Sequence, residues 1–418
     1  MLTRRQAIGA ALAGGATSVG IKGARAADPI TIGFGMALTG GIAPNGKAAL
    51  LAMQIWEQDV NARGGLLGRP VKLIYYDDQS NPSTVPGIYT KLLDVDHVDF
   101  VVSGYATNMV GPAIPVVMQH DALFLGLFGL SSNTEFKYPK YFSMNPAGGP
   151  KPNEAFAEGF FTVAMAQTPK PQTLAVAGAD AEYPRNAIEG VLAVAKRNGL
   201  KVVYNKTYPP STADYTPIVR AIGATDPDIV FVASYPPDTV GMVRASREVG
   251  LKAKIFGGGM VGLQSTAIKT QLGPLLNGIT VYDYFLPWAK FASPEALAFL
   301  KTYQAKAPGA GVDLLGYYLP PFAYSNMQVL QQAIEATKTL DQDKLADYIR
   351  THSFKTIAGD IKYGANSEWA QARVMTVQFQ NVIGNDMDQF TKPKTEVILW
   401  PEGEKTGTLL YPYSDAQR

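Results

Sequence analysis

Two polar turns carry the residue types that could do chemistry in this chain. Ser103-Gly104-Tyr105-Ala106-Thr107-Asn108 ends one short apolar run, 98–102, and Phe128-Gly129-Leu130-Ser131-Ser132-Asn133 ends another, 123–127. Each run reads as a buried strand, and 109–119 between them has helical spacing. Hydroxyls and backbone N–H groups gathered at the carboxyl ends of neighbouring strands describe a small-molecule cleft in an open α/β sheet. Neither turn sets a nucleophile beside a base, so the chemistry is that of holding a molecule rather than changing it. Tyr105, Tyr183 and Tyr235 each follow a predicted strand, and Tyr317 and Tyr318 open a predicted helix. Aromatic rings at corresponding strand ends can wall a cleft as well as pack a core.

Other chemistry finds little support. The three histidines, His97, His120 and His352, include no pair within four residues, and there is no cysteine. A metal site, a thiolate nucleophile and histidine-based catalysis are therefore not expected. Neither a G-x-S-x-G elbow nor a G-x-x-x-x-G-K-[ST] phosphate loop is present. Asp77-Asp78 follows a strand, where such a pair more often serves a turn or a helix start than a metal. One rival motif stands: Gly257-Gly258-Gly259-Met260-Val261-Gly262 fits G-x-G-x-x-G after a short strand and before a helix. Asp283 lies about 26 residues beyond Gly257, near the dinucleotide fingerprint's spacing. Against it, this is the fourth unit of its series, and Leu38 stands where the first unit would need its third glycine. The rival function is a nucleotide-dependent oxidoreductase. The favoured reading of these glycines is close approach of backbone to a ligand, with no cofactor.

The elements that position these turns come in two series. Strands at 30–35, 71–76, 98–102 and 123–127 alternate with helices at 47–63, 83–95 (capped by Ser83) and 109–119, which argues for a parallel doubly wound sheet. A strand at 141–145 and a loop-rich stretch, 146–152, follow. The alternation then restarts, with strands at 174–177, 202–208, 229–233 and 254–256 and helices at 183–198, 215–224, 236–249 and 264–272. The strand at 279–285 is expected to cross back; helices at 294–305, 318–339 and 341–351 and a β-rich last third complete the chain. Before all of this, Arg4-Arg5, a small-residue apolar stretch and Ala24-Arg25-Ala26 have the order of a twin-arginine-like signal peptide over 1–26. The 418 residues carry a formal charge of +2. Without the basic residues Arg4, Arg5, Lys22 and Arg25, 33 lysines and arginines face 35 acids, a net charge of −2. That balance, without basic runs, gives no footprint for nucleic acid. No run approaches the ~20 apolar residues that span a bilayer.

The mature chain resembles the type I periplasmic solute-binding proteins of the branched-chain amino-acid-binding class, which serve ATP-binding-cassette importers. The marks are Leu38-Thr39-Gly40, Asp59-Val60-Asn61-Ala62-Arg63-Gly64-Gly65, Gly68-Arg69-Pro70-Val71 and Tyr76-Asp77-Asp78, then the hydroxyl turn at 103–108. Asp214-Tyr215, Asp226-Pro227-Asp228 and Arg247-Glu248-Val249-Gly250-Leu251 follow in matching order. The resemblance implies an α/β fold of two doubly wound, Rossmann-like lobes joined by a multi-strand hinge. Lobe one is expected at 28–144 plus 282–356, and lobe two at 145–281 plus 357–418. It implies a periplasmic, non-enzymatic, monomeric protein that hands a small molecule to a membrane permease. The ligand carboxylate would fall on Thr107, Asn108, Gly129, Leu130 and Ser131, where helix N-termini and free amides suit an anion. Asn45, Tyr105, Tyr183 and Tyr235 would wall the ligand. The acid that pairs a ligand ammonium in such binders falls on Gly259, beside Met260, and no Asp or Glu stands next to it. A desolvated ammonium without a carboxylate partner is costly. The expected ligand is therefore an aromatic or other non-standard acid, or an amide. A flat ring would use the space at 257–259, and Asp283 or Glu248 could replace the missing acid. Amino-acid binding remains the alternative. A ligand-sensing receptor module shares the fold, but no transmembrane or signalling segment accompanies it.

Overall fold

The computed structural model describes residues 28–416. The expected signal segment, 1–26, lies outside the described residues.

The first sheet is built from β1 (Ile30–Met36), α1 (Ala43–Ala62), β2 (Val71–Asp77), α2 (Val85–Thr90), β3 (Phe100–Tyr105), α3 (Thr107–Gln119), β4 (Phe124–Leu127) and β5 (Tyr141–Met144). Its five strands are parallel in the order β2-β1-β3-β4-β5. β3, β4 and β5 are buried along their whole length, as strands covered on both faces must be. Asp99 fixes the register of β1 beside β3 by accepting from the N–H (2.8 Å) and hydroxyl (2.9 Å) of Thr31. α1 turns its alanine-rich face and Trp56 inward and stops at Gly64 and Gly65, both with positive φ. The cap expected from Ser83 belongs instead to Asn81, whose side chain accepts from the Ser83 N–H at 3.1 Å.

The second series runs α4 (Pro152–Met165), β6 (Thr173–Ala179), α5 (Glu182–Arg197), β7 (Lys201–Tyr208), α6 (Thr216–Gly223), β8 (Ile229–Ser234), α7 (Pro236–Val249), β9 (Ile255–Met260), α8 (Thr266–Leu272) and β10 (Thr280–Asp283). Then come α9 (Pro294–Ala310), α10 (Pro320–Thr337), α11 (Gln342–Thr351), the hairpin β11 (Ser353–Thr356) and β12 (Gly359–Lys362), β13 (Met375–Phe379), β14 (Glu396–Trp400) and α12 (Tyr413–Ala416). The seven-stranded sheet has the order β14-β13-β10-β9-β8-β6-β7. Its core, β7-β6-β8-β9-β10, is parallel and repeats the strand order of the first lobe; β13 and β14 add an antiparallel edge.

Two expectations are corrected. The strand read at 279–285 does not cross back: β10 pairs with β9 and β13 inside the second sheet. The glycines 257–259 do not form a loop after a short strand. They lie within β9, buried and paired with β8 from Phe231 to Ala233. Glycine has little strand propensity, but its neighbours demand it here. A Cβ on Gly257 would collide with the Thr280 backbone, and one on Gly258 would lie 2.6 Å from the Phe231 ring. The glycines admit the adjacent strands rather than a ligand or a pyrophosphate.

After β10 the chain returns to pack α9 and α10 on α1. Trp56 Nε1 donates to Gln331 at 2.9 Å and Tyr324 donates to Asp59 at 2.8 Å. The lobes are therefore joined three times, after β5, after β10 and after β12. The first and third joins are bonded together: Gly149 N–H to Trp369 C=O (2.6 Å), and Arg373 N–H to Pro146 C=O (2.7 Å). No helix among the described residues is long and apolar enough to cross a membrane.

Candidate functional site

In an open α/β sheet the ligand crevice lies where strand order reverses, at the carboxyl ends. In the first lobe that point falls between β1 and β3, and in the second between β6 and β8. The segments leaving these strands face one another across a cavity of about 20 Å³. Tyr105, Ala106 and Thr107 follow β3, and Phe128 and Leu130 follow β4. Tyr183 and Tyr235 follow β6 and β8, and Val261 follows β9. Asn145, Tyr282, Tyr284 and Tyr318 close the back, where the chain passes between lobes.

The lining is polar without being charged: no Asp, Glu, Lys, Arg or His is among these residues. Six tyrosine hydroxyls supply most of the polarity. Tyr282 and Tyr318 hydroxyls are 2.9 Å apart, Tyr183 donates to the Gly259 carbonyl at 2.8 Å, and Asn45 Nδ2 reaches the Tyr105 hydroxyl at 3.4 Å. Burial pushes the Tyr105, Tyr183, Tyr282, Tyr284 and Tyr318 hydroxyls well above the ordinary phenol range, so each keeps its proton. The rings pack edge-on and tilted around Phe128, whose centroid is 5.1 Å from Tyr284 and 5.2 Å from Tyr318.

The first-lobe wall is shaped by its backbone. Ala106 (φ 92°), Phe128 (φ 58°) and Ser131 (φ 55°) all hold positive φ without being glycine. Such conformations cost about 1–3 kcal/mol each and persist only where surrounding structure imposes them. Gly129 is required by crowding, since a Cβ there would lie 2.8 Å from Ser132 Oγ and 2.9 Å from the Tyr141 hydroxyl. Thr107 ties the two loops together, its Oγ1 accepting from the Leu130 N–H at 3.1 Å. The first N–H groups of α3 have no intrahelical acceptor and give this wall a site for negative charge.

The side chains expected to grip a ligand carboxylate are largely engaged elsewhere. Asn108 Oδ1 accepts across the cleft from the Tyr183 N–H and the Tyr235 hydroxyl, both at 3.1 Å. Ser131 donates to Asn153 at 2.7 Å, and the Leu130 carbonyl accepts from Asn186 at 2.8 Å. These bonds clasp the lobes. Asn45 sits behind the cavity rather than in it, and Met260 is buried at the end of β9, outside the lining. The space expected beside Gly259 is filled from within: a Cβ there would lie 2.7 Å from the Tyr183 hydroxyl and 3.3 Å from the Phe156 ring.

Neither substitute acid reaches the cavity. Asp283 lies between Tyr282 and Tyr284, so strand alternation turns it to the opposite face. There its Oδ1 accepts from the N–H groups of Tyr284 (2.7 Å) and Phe285 (3.2 Å). Burial, opposed by nearby Lys269, pushes its carboxyl up to about 7. Glu248 is exposed at the far end of α7. The Asp77-Asp78 pair is a turn feature. Asp77 accepts from the N–H groups of Leu38 (2.9 Å) and Thr39 (3.1 Å), and Asp78 from Ser80 at 2.8 Å. Acids do stand at the mouth, a larger space of about 590 Å³ that includes Glu182 and Asp238. Burial raises their carboxyls to about 7 and about 6.

Of the residues singled out from sequence, Tyr105, Thr107, Leu130, Tyr183 and Tyr235 meet at the cavity, while Asn108, Gly129 and Ser131 flank it. Phe128, Asn145, Val261, Tyr282 and Tyr284 were missed. The two tyrosines on either side of Asp283 were a usable signal, since alternation puts them on one face. Phe128 lay within the second turn, but nothing in its sequence context marks the positive φ it adopts at the cavity.

Comparison with known proteins adds the family. A sequence model described as periplasmic binding protein matches residues 29–383. The leucine-, isoleucine-, valine-, threonine- and alanine-binding protein of Pseudomonas aeruginosa is 23% identical over 342 residues, covering 81% of this chain and 86% of the relative. The leucine-binding protein of Thermotoga maritima superposes with a TM-score of 0.72 at 18% identity, over 85% of this chain and 96% of its own. An ABC-transporter solute-binding protein of R. palustris in complex with 4-hydroxybenzoate does so with a TM-score of 0.73 at 19% identity, over 91% and 98%. Two lobes of repeated strand order, a cleft at both reversal points and a match over most of its length place this chain in the periplasmic binding protein family.

Proposed function

We propose that the protein is the extracytoplasmic solute-binding component of an ATP-binding-cassette importer, and that its ligand is a small carboxylate with an aromatic or otherwise apolar body. The observation that carries this reading is the uncharged tyrosine lining, with the Tyr183 hydroxyl packed against Gly259, the position to which the family resemblance would assign an ammonium-pairing acid. Hydroxyls and apolar rings suit an aryl body, and the N-terminus of α3 suits a carboxylate. An α-amino acid would bring an ammonium with no ionised partner in the lining, at substantial cost. The R. palustris protein's 4-hydroxybenzoate complex supports this ligand class. The P. aeruginosa relative's name supports the second reading, a branched-chain or similar amino acid. Export through the 1–26 segment, delivery to a permease and a monomeric state belong to the same proposal.

Thermal unfolding of the mature protein tests it. A ligand that binds only the native state stabilises it by about 2.7 kcal/mol at a hundredfold excess over Kd. Benzoate-like acids are expected to raise the melting temperature, and leucine, isoleucine and valine are not. The reverse pattern would replace the aromatic-acid reading with the amino-acid one.

A further inference from the structure

Behind the tyrosine wall lies a second cavity of about 20 Å³, bordered by Asn45 and Ala48 of α1, by Gln264 and Ser265, by Asp313, whose carboxylate is already bonded to Thr266 and Gly316, and by the segment entering α10. Among the described residues, Tyr318 alone lines both cavities. Its ring is a fixed partition. It stacks on Tyr284 at 6.1 Å and 11°, meets Phe128 edge-on at 5.2 Å, and bonds through its hydroxyl to Tyr282 at 2.9 Å.

The second cavity has an unused polar group. Gln264 is 4% exposed; its Nε2 donates to the Tyr282 carbonyl at 2.7 Å, while its Oε1 is buried without a hydrogen-bond partner. An orphaned buried acceptor is costly and favours whatever brings it a donor. A space this size holds about one water, which is the simplest occupant.

We propose that Tyr318 sets the length of ligand the protein accepts, and that the chamber behind it is a latent subsite for the hydrogen-bond-donating end of a longer acid. The inference rests on the carboxylate reading above. The front cavity is as small as the rear one, so any aryl acid requires the lobes to part. An acid anchored at the start of α3 then extends toward a ring braced by three aromatic neighbours, which a benzoate-length acid stops short of and a cinnamate-length one meets. With the ring removed the two spaces join, and a distal hydroxyl reaches Gln264 Oε1.

The test is calorimetric binding of benzoate, 4-hydroxybenzoate, cinnamate and 4-hydroxycinnamate to the mature protein and its variants. The native protein is expected to favour the two benzoates over the two cinnamates at least tenfold. Tyr318→Ala is expected to reverse that order and to bind 4-hydroxycinnamate about tenfold more tightly than cinnamate, the usual scale of one buried hydrogen bond. Tyr318→Ala/Gln264→Leu loses the hydroxyl preference, and Tyr318→Phe, which keeps the ring, still excludes the elongated acids. Tyr318→Val replaces the alanine variant if that does not fold. Equal binding of short and long acids by the native protein would overturn the partition. A folded Tyr318→Ala that binds the benzoates but gains no cinnamate would do the same. A gain without hydroxyl preference would leave the rear chamber to water and overturn the subsite. If neither class of acid binds the native protein and leucine does, the carboxylate reading falls and takes this inference with it.

Discussion

The two faces of β10 handle charge in opposite ways. On the cleft face Tyr282 and Tyr284 present hydroxyls and rings. On the other face Asp283 lies near Lys269 and Glu396, which pair at 2.5 Å with side chains 2% and 0% exposed. Lys269 also sits 5.7 Å from the Phe379 ring centroid. The second lobe therefore does bury a lysine and two acids, but on the face turned away from the cleft, with the lysine paired to Glu396. A fixed charge in the cleft would demand its counter-charge from every ligand; neutral hydroxyls ask only for shape and hydrogen bonding. The absence of an acid in the cleft is thus local to one face of one sheet, not a property of the lobe.

The sharpest way to separate the faces is to break the ion pair. Lys269→Met leaves Glu396 buried without its partner and is expected to cost about 3 kcal/mol or more in urea unfolding, with Lys269→Met/Glu396→Leu recovering most of it. Ligand affinity should change less than about threefold, a shift under 1 kcal/mol; a loss matching the stability loss would show that the faces are coupled. The second way is to charge the neutral face. Gly259→Asp forces its side chain onto the Tyr183 hydroxyl and should weaken aromatic-acid binding at least tenfold by calorimetry, with a smaller stability loss of about 1–3 kcal/mol from overpacking. Adding Tyr183→Ala removes the clash, and the double variant should then be stabilised by leucine.

The smallest expected effect concerns the mouth. Glu182 opens α5 in the second lobe, yet its carboxyl lies against α3 of the first: a Cβ on Gly111 would be 2.9 Å from Oε2. Burial raises this acid from 4.5 to about 7, with Arg185 lowering it and Glu135 raising it slightly. An acid raised in the closed form holds a proton that the open form releases. Closure is therefore favoured at low pH, loses that advantage as pH rises from about 5 to about 7, and is flat above. Ligand binding near pH 6 should take up a fraction of a proton, measurable from calorimetry in buffers of different ionisation enthalpy. Glu182→Gln should abolish that uptake. Asp238, also raised, is bonded at 2.6 Å to Tyr208 within its own lobe, so closure should change its contribution little.

Much of the architecture was legible because it rests on local periodicity. Each βα unit announces itself through an apolar run, a polar turn and a helical stripe, and Tyr105, Tyr183 and Tyr235 mark the strand ends at the cleft. What escaped depends on partners distant in sequence. Gly257-Gly258-Gly259 looks like a loop until β8 and β10 are seen holding it extended from either side. Asn108 is an ordinary helix-start residue until Tyr183 and Tyr235 arrive on its Oδ1. The place beside Gly259 is open in sequence and closed in space, because its occupant lies 76 residues away.

That last pairing bears on how such a cleft changes over generations. With Gly259 and Tyr183 interlocked, a lineage that first gains the acid crowds the phenol, and one that first loses the phenol leaves a void with no acid. Each single step is expected to lower fitness while the pair of steps restores it. A binder of this kind is then more readily retuned at Tyr318, where one substitution suffices, than converted to a new class of ligand.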